Sequence, residues 1–257
     1  DIESDLTVGC DGRHSTVRER AGLAVEDIGA PMDVLWFRAG KAANETESLF
    51  ARVDPGKMMV TFDRGDYWQC AFVIPKGGYD AVKARGLPAL LDDVVRMAPV
   101  LKSGVSDVRS WDDVKLLTVA INRLKKWSSP GLLCIGDAAH AMSPVGGVGV
   151  NLAVQDAVAT ANLLAARLQS GVPAEAELEA VQARREFPVK VTQRMQVVVQ
   201  NNIIRLALKP GAQPLKPPLL MRVITAVPWL QGLTARFVGI GVRPEHVHSP
   251  LAGGRMG

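Results

Sequence analysis

Two stretches of the chain carry residue types whose spacing is suited to binding a cofactor, and the second is the more specific. It contains GDAAH at 136–140 and GGVGVN at 146–151. Asp137 follows an apolar run that predicts a buried strand, where a carboxylate is well placed to accept hydrogen bonds from sugar hydroxyls. Glycines before a helix let backbone N–H groups face an anionic or carbonyl oxygen. This stretch therefore predicts cofactor binding.

The first stretch is GCDGRHSTVR, at residues 9–18. It places Asp11 and Gly12 after a short apolar run, where Gly12 permits a tight turn and a close backbone approach to a ligand. Taken alone, an Asp-Gly pair before a helix is more typical of an ordinary turn. Its value for function comes from its combination with the second stretch.

The histidines and cysteines indicate structure rather than chemistry. Nothing in the sequence brings a substrate within hydrogen-bond reach of His140, so we interpret it as support for its loop and predict no catalytic side chain. The odd number and wide separation of the cysteines favour reduced thiols in a cytoplasmic protein. No Cys-His spacing predicts a metal site. The three cysteines are Cys10, Cys70 and Cys134.

Composition narrows the remaining classes of protein. The 257 residues are 47% hydrophobic, enough for a sizeable core. The net charge of +4 comes from scattered basic residues with only short pairs such as Arg184-Arg185, so nucleic-acid binding is not predicted. Polar residues and a proline interrupt the apolar stretch 218–240, so no membrane span is predicted.

Hydrophobic patterns predict the elements that position these residues. A strand at 6–10 is followed by a helix at 15–21, and four short apolar runs predict an antiparallel sheet. A helix at 88–101 would carry Asp92 and Asp93 in its first turn. A long strand at 114–124, a turn at 128–131 and a buried strand at 132–135 follow. The four sheet runs are 34–38, 49–53, 58–63 and 67–74.

The second half of the chain is predicted to be largely helical. The best-defined helix spans 149–168 and ends before Gly171, which suits a helix C-cap. A second helical stretch covers 173–209, with a bend expected at Pro188. Residues after 210 are predicted to be irregular with short helices.

In this order, the two stretches resemble the para-hydroxybenzoate hydroxylase family of group A flavoprotein monooxygenases. The resemblance implies FAD as cofactor, with Asp11 and Gly12 near both FAD and the path of the reduced nicotinamide. It also implies that Arg18 supports the Asp-Gly loop and that Asp137 binds ribose or ribityl hydroxyls. The other residues implied in cofactor binding are Gly136, Pro144 at the flavin face, Gly147, and Gly149, Val150 and Asn151 at the N1–C2=O edge.

The resemblance also implies an α/β fold, in which a partial Rossmann-type FAD-binding lobe is interrupted by an α+β substrate lobe with an antiparallel sheet. We expect the FAD lobe at 1–30 and 108–175, the substrate lobe at 31–107 and a helical C-terminal segment at 176–257. The family's opening G-x-G-x-x-G unit is not found, so the chain is expected to be an N-terminally truncated member that alone binds FAD weakly or not at all.

The implied activity is hydroxylation of an aromatic or phenolic small molecule, driven by NADPH or NADH and oxygen through a C4a-hydroperoxyflavin. Alternatives are a reductase or halogenase of the same fold, or a non-catalytic remnant that binds no FAD. A homodimer is compatible with these features. Four residues could line the substrate pocket, although strand residues of alternating direction are more often simple core: Trp36, Phe37, Met58 and Phe72.

Overall fold

A computed structural model describes residues 3–42, 50–209 and 227–249 of the chain. The chain divides into two compact units. Unit 1 comprises residues 1–29, 120–196 and 219–257, and unit 2 comprises residues 30–119 and 197–218.

The described residues form ten strands and seven α-helices. The strands are β1 Thr7–Gly9, β2 Val25–Asp27, β3 Met32–Gly40, β4 Phe50–Asp54, β5 Lys57–Asp63, β6 Tyr67–Pro75, β7 Lys115–Leu117, β8 Asn122–Leu124, β9 Ser128–Ser129 and β10 Leu132–Cys134. The helices are α1 Thr16–Arg20, α2 Tyr79–Ala84, α3 Leu87–Met97, α4 Gly149–Ser170, α5 Glu175–Val199, α6 Arg205–Ala207 and α7 Pro228–Gly239. Five short 3₁₀ turns and a π-helical segment at Gln200–Ile204 complete these elements.

Unit 1 contains a three-stranded sheet in the order β1-β10-β9, with β1 parallel to β10 and β10 antiparallel to β9. Gly9 lies opposite Cys134, and the carbonyl of Gly9 accepts a hydrogen bond from the amide of Ile135 at 3.0 Å. The carboxyl ends of parallel strands meet at one edge of a sheet. The loop after β1 and the turn after β10 therefore emerge side by side.

Helix α4 packs on this sheet through a buried stripe at helical spacing. Its buried residues are Leu152, Asp156, Ala159 and Leu164. The helix ends at Gly171, whose φ of 143° suits glycine, in agreement with the C-cap predicted from the sequence. By length and composition alone, 145–170 meets the criteria for a membrane span, with a mean hydropathy of 1.2, but core helices of other proteins meet them too.

Unit 2 is built on a five-stranded antiparallel sheet in the order β4-β5-β6-β3-β7. Side chains alternate between its two faces, and those of one face pack with α3 into the core of this unit. Phe37 and Phe72 belong to that core, so the suggestion that they line a substrate pocket is wrong for both. The core residues from the sheet and α3 include Leu35, Met59, Trp68, Cys70, Leu90, Val94 and Met97.

The long strand predicted at 114–124 is wrong, because two short strands of different sheets occupy it. Strand β7 pairs with β3, whereas β8 pairs with β2. Between them, the amide of Val119 donates to the carboxylate of Asp33 at 2.9 Å instead of to a neighbouring strand. This run therefore crosses from unit 2 to unit 1, and residues 108–119 lie with the antiparallel sheet rather than with the expected FAD lobe.

The helix predicted at 88–101 is shorter and begins earlier. It covers Leu87–Met97 and is followed by a 3₁₀ turn that starts at Pro99, since proline cannot donate the next helical hydrogen bond. Its first turn contains no acidic residue, so the expected helix-dipole role of Asp92 and Asp93 is wrong. Asp93 is instead buried, and its carboxylate forms ion pairs with Lys57 and Arg85.

Asp93 should make unit 2 sensitive to acid. Burial alone would raise the pKa of its carboxyl, but hydrogen bonds and charges from Lys57 and Arg85 outweigh burial and hold the pKa below the ordinary 3.8. A carboxyl with a lowered folded-state pKa stabilises the protein fully above its unfolded-state pKa, and this contribution disappears as pH falls through the folded-state value. The Asp93 contribution is therefore present at neutral pH and lost below about pH 4.

We predict that Asp93→Ala lowers the free energy of unfolding at pH 7 by about 1–3 kcal/mol, because Lys57, Arg85 and Arg96 lose a buried partner. The difference from the wild type should shrink as pH falls below about 4. Chemical denaturation at several pH values measures both effects. Asp92→Ala is the matched control, since Asp92 is the exposed neighbour. Equal losses in the two variants, or a pH-independent difference, would contradict this explanation.

Candidate functional site

The Asp-Gly loop after β1 is ordered by its own side chains. The Asp11 carboxylate accepts hydrogen bonds from the Ser15 hydroxyl and from the amide of Val17. The Ser15 hydroxyl oxygen in turn accepts from the amide of Arg18 at 3.0 Å and caps α1. The hydrogen bond from Ser15 is the main reason that the pKa of Asp11 is below its ordinary value. Asp11 is therefore a structural hydrogen-bond acceptor in this loop.

Arg18 joins this loop to the turn after β10. Its guanidinium donates to the carbonyl of Arg13 and, at 3.2 Å, to the carbonyl of Ala138. These two carbonyls are separated by more than 120 residues in sequence. Arg18 therefore has the geometry of a clamp between the two stretches identified in the sequence.

Asp137 lies at the centre of this junction and keeps part of its carboxylate accessible. Its side chain is 31% exposed, and Oδ2 lies 3.5 Å from Nη2 of Arg13. The other terminal nitrogen of Arg13, Nη1, is buried and has no hydrogen-bond partner within the described residues. Sequence reasoning missed Arg13. The available signal was a cation directly after Gly12 in a loop predicted to lie near FAD.

The turn that carries Asp137 is held by hydrogen bonds to the buried carboxylate of Asp156 in α4. Asp156 accepts from the amide of Gly136 at 3.1 Å, bonds to Nε2 of His140 and accepts from Nε of Arg185 at 2.9 Å. Burial would raise the pKa of Asp156, but its interactions with His140 and Arg185 outweigh burial and keep the pKa low. His140 is 1% exposed and packs beside Trp127, which favours the predicted supporting role.

Arg185 is a second functional residue that sequence reasoning missed, because it was interpreted as part of a short surface pair. The side chain is completely buried. Besides Asp156, its guanidinium contacts Oε1 of Gln155 at 3.2 Å and the carbonyl of Arg243 at 3.3 Å. Its neighbour Arg184 does lie at the surface, where it pairs with Glu245. Helical spacing along α5 carried the only available signal, since adjacent residues of a helix face different directions.

The glycine loop leads into the N-terminus of α4, which is capped by no side chain among the residues that the structure describes. Gly147 has a φ of 65°, with open space where its Cβ would lie, whereas a Cβ on Gly149 would lie 3.3 Å from Met142. Val150 is 71% exposed. The side chain of Asn151 is engaged elsewhere, since it donates to the carbonyl of Gly239 at 2.8 Å. The free groups of this helical turn are therefore backbone N–H groups.

The ten predicted site residues fall into two groups that α4 connects. Direct contacts unite the loop of Asp11 and Gly12 with the turn of Gly136 and Asp137 through Arg18. The second group follows along the chain and comprises Pro144, Gly147, Gly149, Val150 and Asn151. One helical turn after Gly149, Ala153 lies so close to Gly136 that a Cβ on that glycine would approach it to 3.0 Å.

The residues present fit a flavin nucleotide. They supply a hydroxyl acceptor at Asp137, a buried guanidinium nitrogen without a partner at Arg13, and uncapped helix N–H groups beside open glycines. A polar, partly positive cradle of this kind suits a ligand with hydroxyls and an anionic group. Within the described part of the chain, no cluster of three or more His, Cys, Asp or Glu side chains could hold a metal ion.

The fold and the site define a nucleotide-binding α/β protein of the flavoprotein class. Residues 1–195 match the family model described as FAD binding domain, and the chain belongs to that family. The match confirms the family-level resemblance, the α/β class and FAD as the cofactor.

Two relatives of this chain are enzymes whose names describe different activities. The chain is 35% identical over 199 residues to 6-methylpretetramide 4-monooxygenase of Streptomyces rimosus, an alignment that covers 77% of this chain and 47% of that protein. It is 29% identical over 178 residues to dialkyldecalin synthase of Streptomyces rugosporus, covering 67% of this chain and 37% of the synthase.

A solved structure supports the fold. CabE, an aromatic hydroxylase from angucycline biosynthesis, superposes with a TM-score of 0.64 at 24% identity, over 93% of this chain and 47% of CabE. The chain thus spans less than half the length of these three proteins.

We predict that Asp156→Ala lowers the free energy of unfolding by about 3–5 kcal/mol, because the buried Arg185 guanidinium would lose its nearer carboxylate partner and keep only the 3.7 Å contact with Glu245. Denaturant unfolding followed by circular dichroism measures the loss. Glu179→Ala is the control, because Glu179 is exposed and its partner Lys126 also pairs with Glu175. A loss no larger than that of the control would show that Asp156 does not stabilise the turn.

Proposed function

We propose that this chain belongs to an FAD-dependent monooxygenase that hydroxylates an aromatic or phenolic small molecule. The chain would supply most of the flavin site and the substrate lobe. The single observation that carries the proposal is the Arg18 clamp, which brings the Asp-Gly loop and the Asp137 turn together next to α4. The name of the relative 6-methylpretetramide 4-monooxygenase supports a monooxygenase activity.

Each side chain would have a limited part in the reaction. When bound, FAD supplies the redox chemistry by accepting a hydride from NADPH or NADH and activating oxygen. Asp137 would accept hydrogen bonds from ribityl or ribose hydroxyls, and Pro144 would line the flavin face. Backbone N–H groups at residues 149–151 would favour negative charge at the N1–C2=O edge. Asp11 and Gly12 would lie near the nicotinamide path.

The second face of the sheet in unit 2 is the proposed surface for the substrate. Trp36 and Phe62 stack there, with ring centroids 6.0 Å apart and an interplanar angle of 26°. Both residues are half-buried, and Met58 belongs to the same face by strand alternation. Arg38 adds a guanidinium 4.7 Å from the ring of Tyr67. Such a face suits a planar ring that carries hydroxyl groups.

We also propose that the protein is cytoplasmic and that it does not span a membrane. Asp156 lies in the middle of α4, where its charge is neutralised by groups of unit 1 that a lipid-exposed helix would lack. Free thiols at Cys10, Cys70 and Cys134 agree with a reducing compartment. We therefore interpret α4 as a core helix of a flavoprotein.

Measurement of oxygen consumption separates hydroxylation from the other activities of this fold. The protein is reconstituted with FAD and supplied with NADPH or NADH and candidate phenols, and hydroxylated product is measured together with oxygen uptake. Coupled product supports the proposal. Reduction of FAD without product indicates a reductase, chlorinated product indicates a halogenase, and absence of flavin binding indicates a non-catalytic protein. A synthase activity without hydroxylated product, in line with the name dialkyldecalin synthase of that relative, would also overturn it.

We predict that Asp137→Ala lowers FAD retention by a much larger factor than the factor by which His140→Ala lowers the turnover rate. Asp137 would lose hydrogen bonds to the cofactor, each of which contributes about 0.5–3 kcal/mol depending on charge. His140 is buried against Asp156 and Trp127 and supports the loop. Flavin occupancy after gel filtration and steady-state rates at saturating FAD provide the two values. Unchanged occupancy in Asp137→Ala would contradict the assignment.

We also predict that Gly149→Val lowers flavin affinity or slows flavin reduction. Its side chain would crowd Met142 and stand where backbone N–H groups approach the cofactor. Gly232→Val is the control, because Gly232 is also helical and its Cβ would meet no heavy atom within 4 Å. Occupancy and reduction potential are compared in both variants. Values for Gly149→Val that equal those of the control would remove the proposed role of this helix N-terminus.

A further inference from the structure

Arg13 has a guanidinium whose hydrogen-bonding capacity is only partly used. Its Nη2 lies 3.5 Å from Asp137, whereas charged N–H···O bonds are typically about 2.7–2.9 Å long. Its Nη1 is buried without a partner among the described residues. Because buried donors in native proteins are nearly always paired, the guanidinium is suited to a second, anionic partner.

The backbone around this pair is fixed by contacts that do not involve the Asp137 carboxylate. Arg18 holds the carbonyl of Arg13 and the carbonyl of Ala138, the residue after Asp137. Gly12, directly before Arg13, has a φ of 87°, and no heavy atom lies within 4 Å of where its Cβ would be. The two charged groups are thus held next to each other, each about a quarter to a third exposed, and the adjacent Gly12 leaves room for a ligand to approach the backbone.

The pair offers one ligand two complementary contacts. A carboxylate accepts hydrogen bonds from hydroxyls, and a guanidinium donates two parallel bonds to a phosphate. A ligand that uses both must carry hydroxyls a few bonds away from a phosphate. The ribityl phosphate of a flavin nucleotide has this arrangement, and the sugar phosphates of a nicotinamide dinucleotide share its chemistry.

Resting on the proposed function, we propose that Arg13 is the phosphate-recognising residue of the flavin site. Asp137 holds ribityl hydroxyls, and Arg13 holds the 5′-phosphate at the end of the same ribityl chain. FMN and riboflavin differ only in that phosphate. The protein should therefore distinguish the two through Arg13.

The test is titration of the full chain with FMN and with riboflavin, followed by flavin fluorescence. We expect the wild type to bind FMN about ten-fold more tightly than riboflavin, with a preference that declines as KCl is added. Arg13→Met and Arg13→Gln should remove the preference and leave riboflavin affinity within about two-fold, while Arg13→Lys restores part of it. Arg20→Met is the matched control, because it removes an exposed cation from the end of α1 and should retain the preference.

The outcomes separate this inference from the function on which it rests. An unchanged FMN preference in folded Arg13→Met and Arg13→Gln would overturn the role of Arg13 while leaving the flavin site intact. Absence of binding of either flavin would contradict both proposals. Retained FMN preference with weakened NADPH binding would assign Arg13 to the nicotinamide donor and overturn the inference. Circular dichroism verifies that the variants are folded.

Discussion

The buried carboxylate of Asp156 is the interaction on which the rest of the site depends. An uncompensated charge in a protein interior is strongly unfavourable, so every group around it must supply a donor or a positive charge. The amide of Gly136, the ring of His140 and the guanidinium of Arg185 provide these partners. One side chain thus fixes the turn after β10, the helix that supports it and the following helix α5 relative to one another.

This arrangement separates the groups that hold the scaffold from those that remain accessible to a ligand. Two scaffold side chains are well paired: the buried Asp156 carboxylate contacts His140 and Arg185, and both terminal nitrogens of Arg18 donate to carbonyls. Within the described part of the chain, the side chains of Asp137 and Arg13 have only the 3.5 Å contact with each other. Binding energy for a cofactor can come from groups that are held in position but not yet fully hydrogen-bonded, which reduces the reorganisation required on binding.

The sequence predicted the elements with strong local signals. Helix α4 and its end at Gly171 followed from periodicity and a C-cap glycine, and the antiparallel sheet followed from short β-rich runs between turn residues. Prediction from the sequence failed where the pairing of distant strands determines the structure. The apolar run at 114–124 is locally strand-like throughout, but its two halves pair with β3 and β2 in different sheets. Strand β2 was missed because its three residues are exposed and two of them are acidic.

The candidate site was predicted as two motifs, and the contacts between them were not. Family resemblance identified Asp11, Arg18 and Asp137, but local sequence does not specify that Arg18 reaches Ala138. Arg185 was taken for a surface cation because charge and pairing along the sequence do not encode burial. The phenylalanines of β3 and β6 were equally ambiguous, since alternation separates two faces without indicating which one is covered.

The central claim is that the two motifs form a single flavin site on unit 1, and hydrogen exchange with added FAD tests it most directly. At saturating FAD, backbone amides at 9–18 and 136–151 should exchange more slowly, while those of the sheet at 57–75 should be unchanged. Protection of only one motif, or of the sheet alone, would contradict the account.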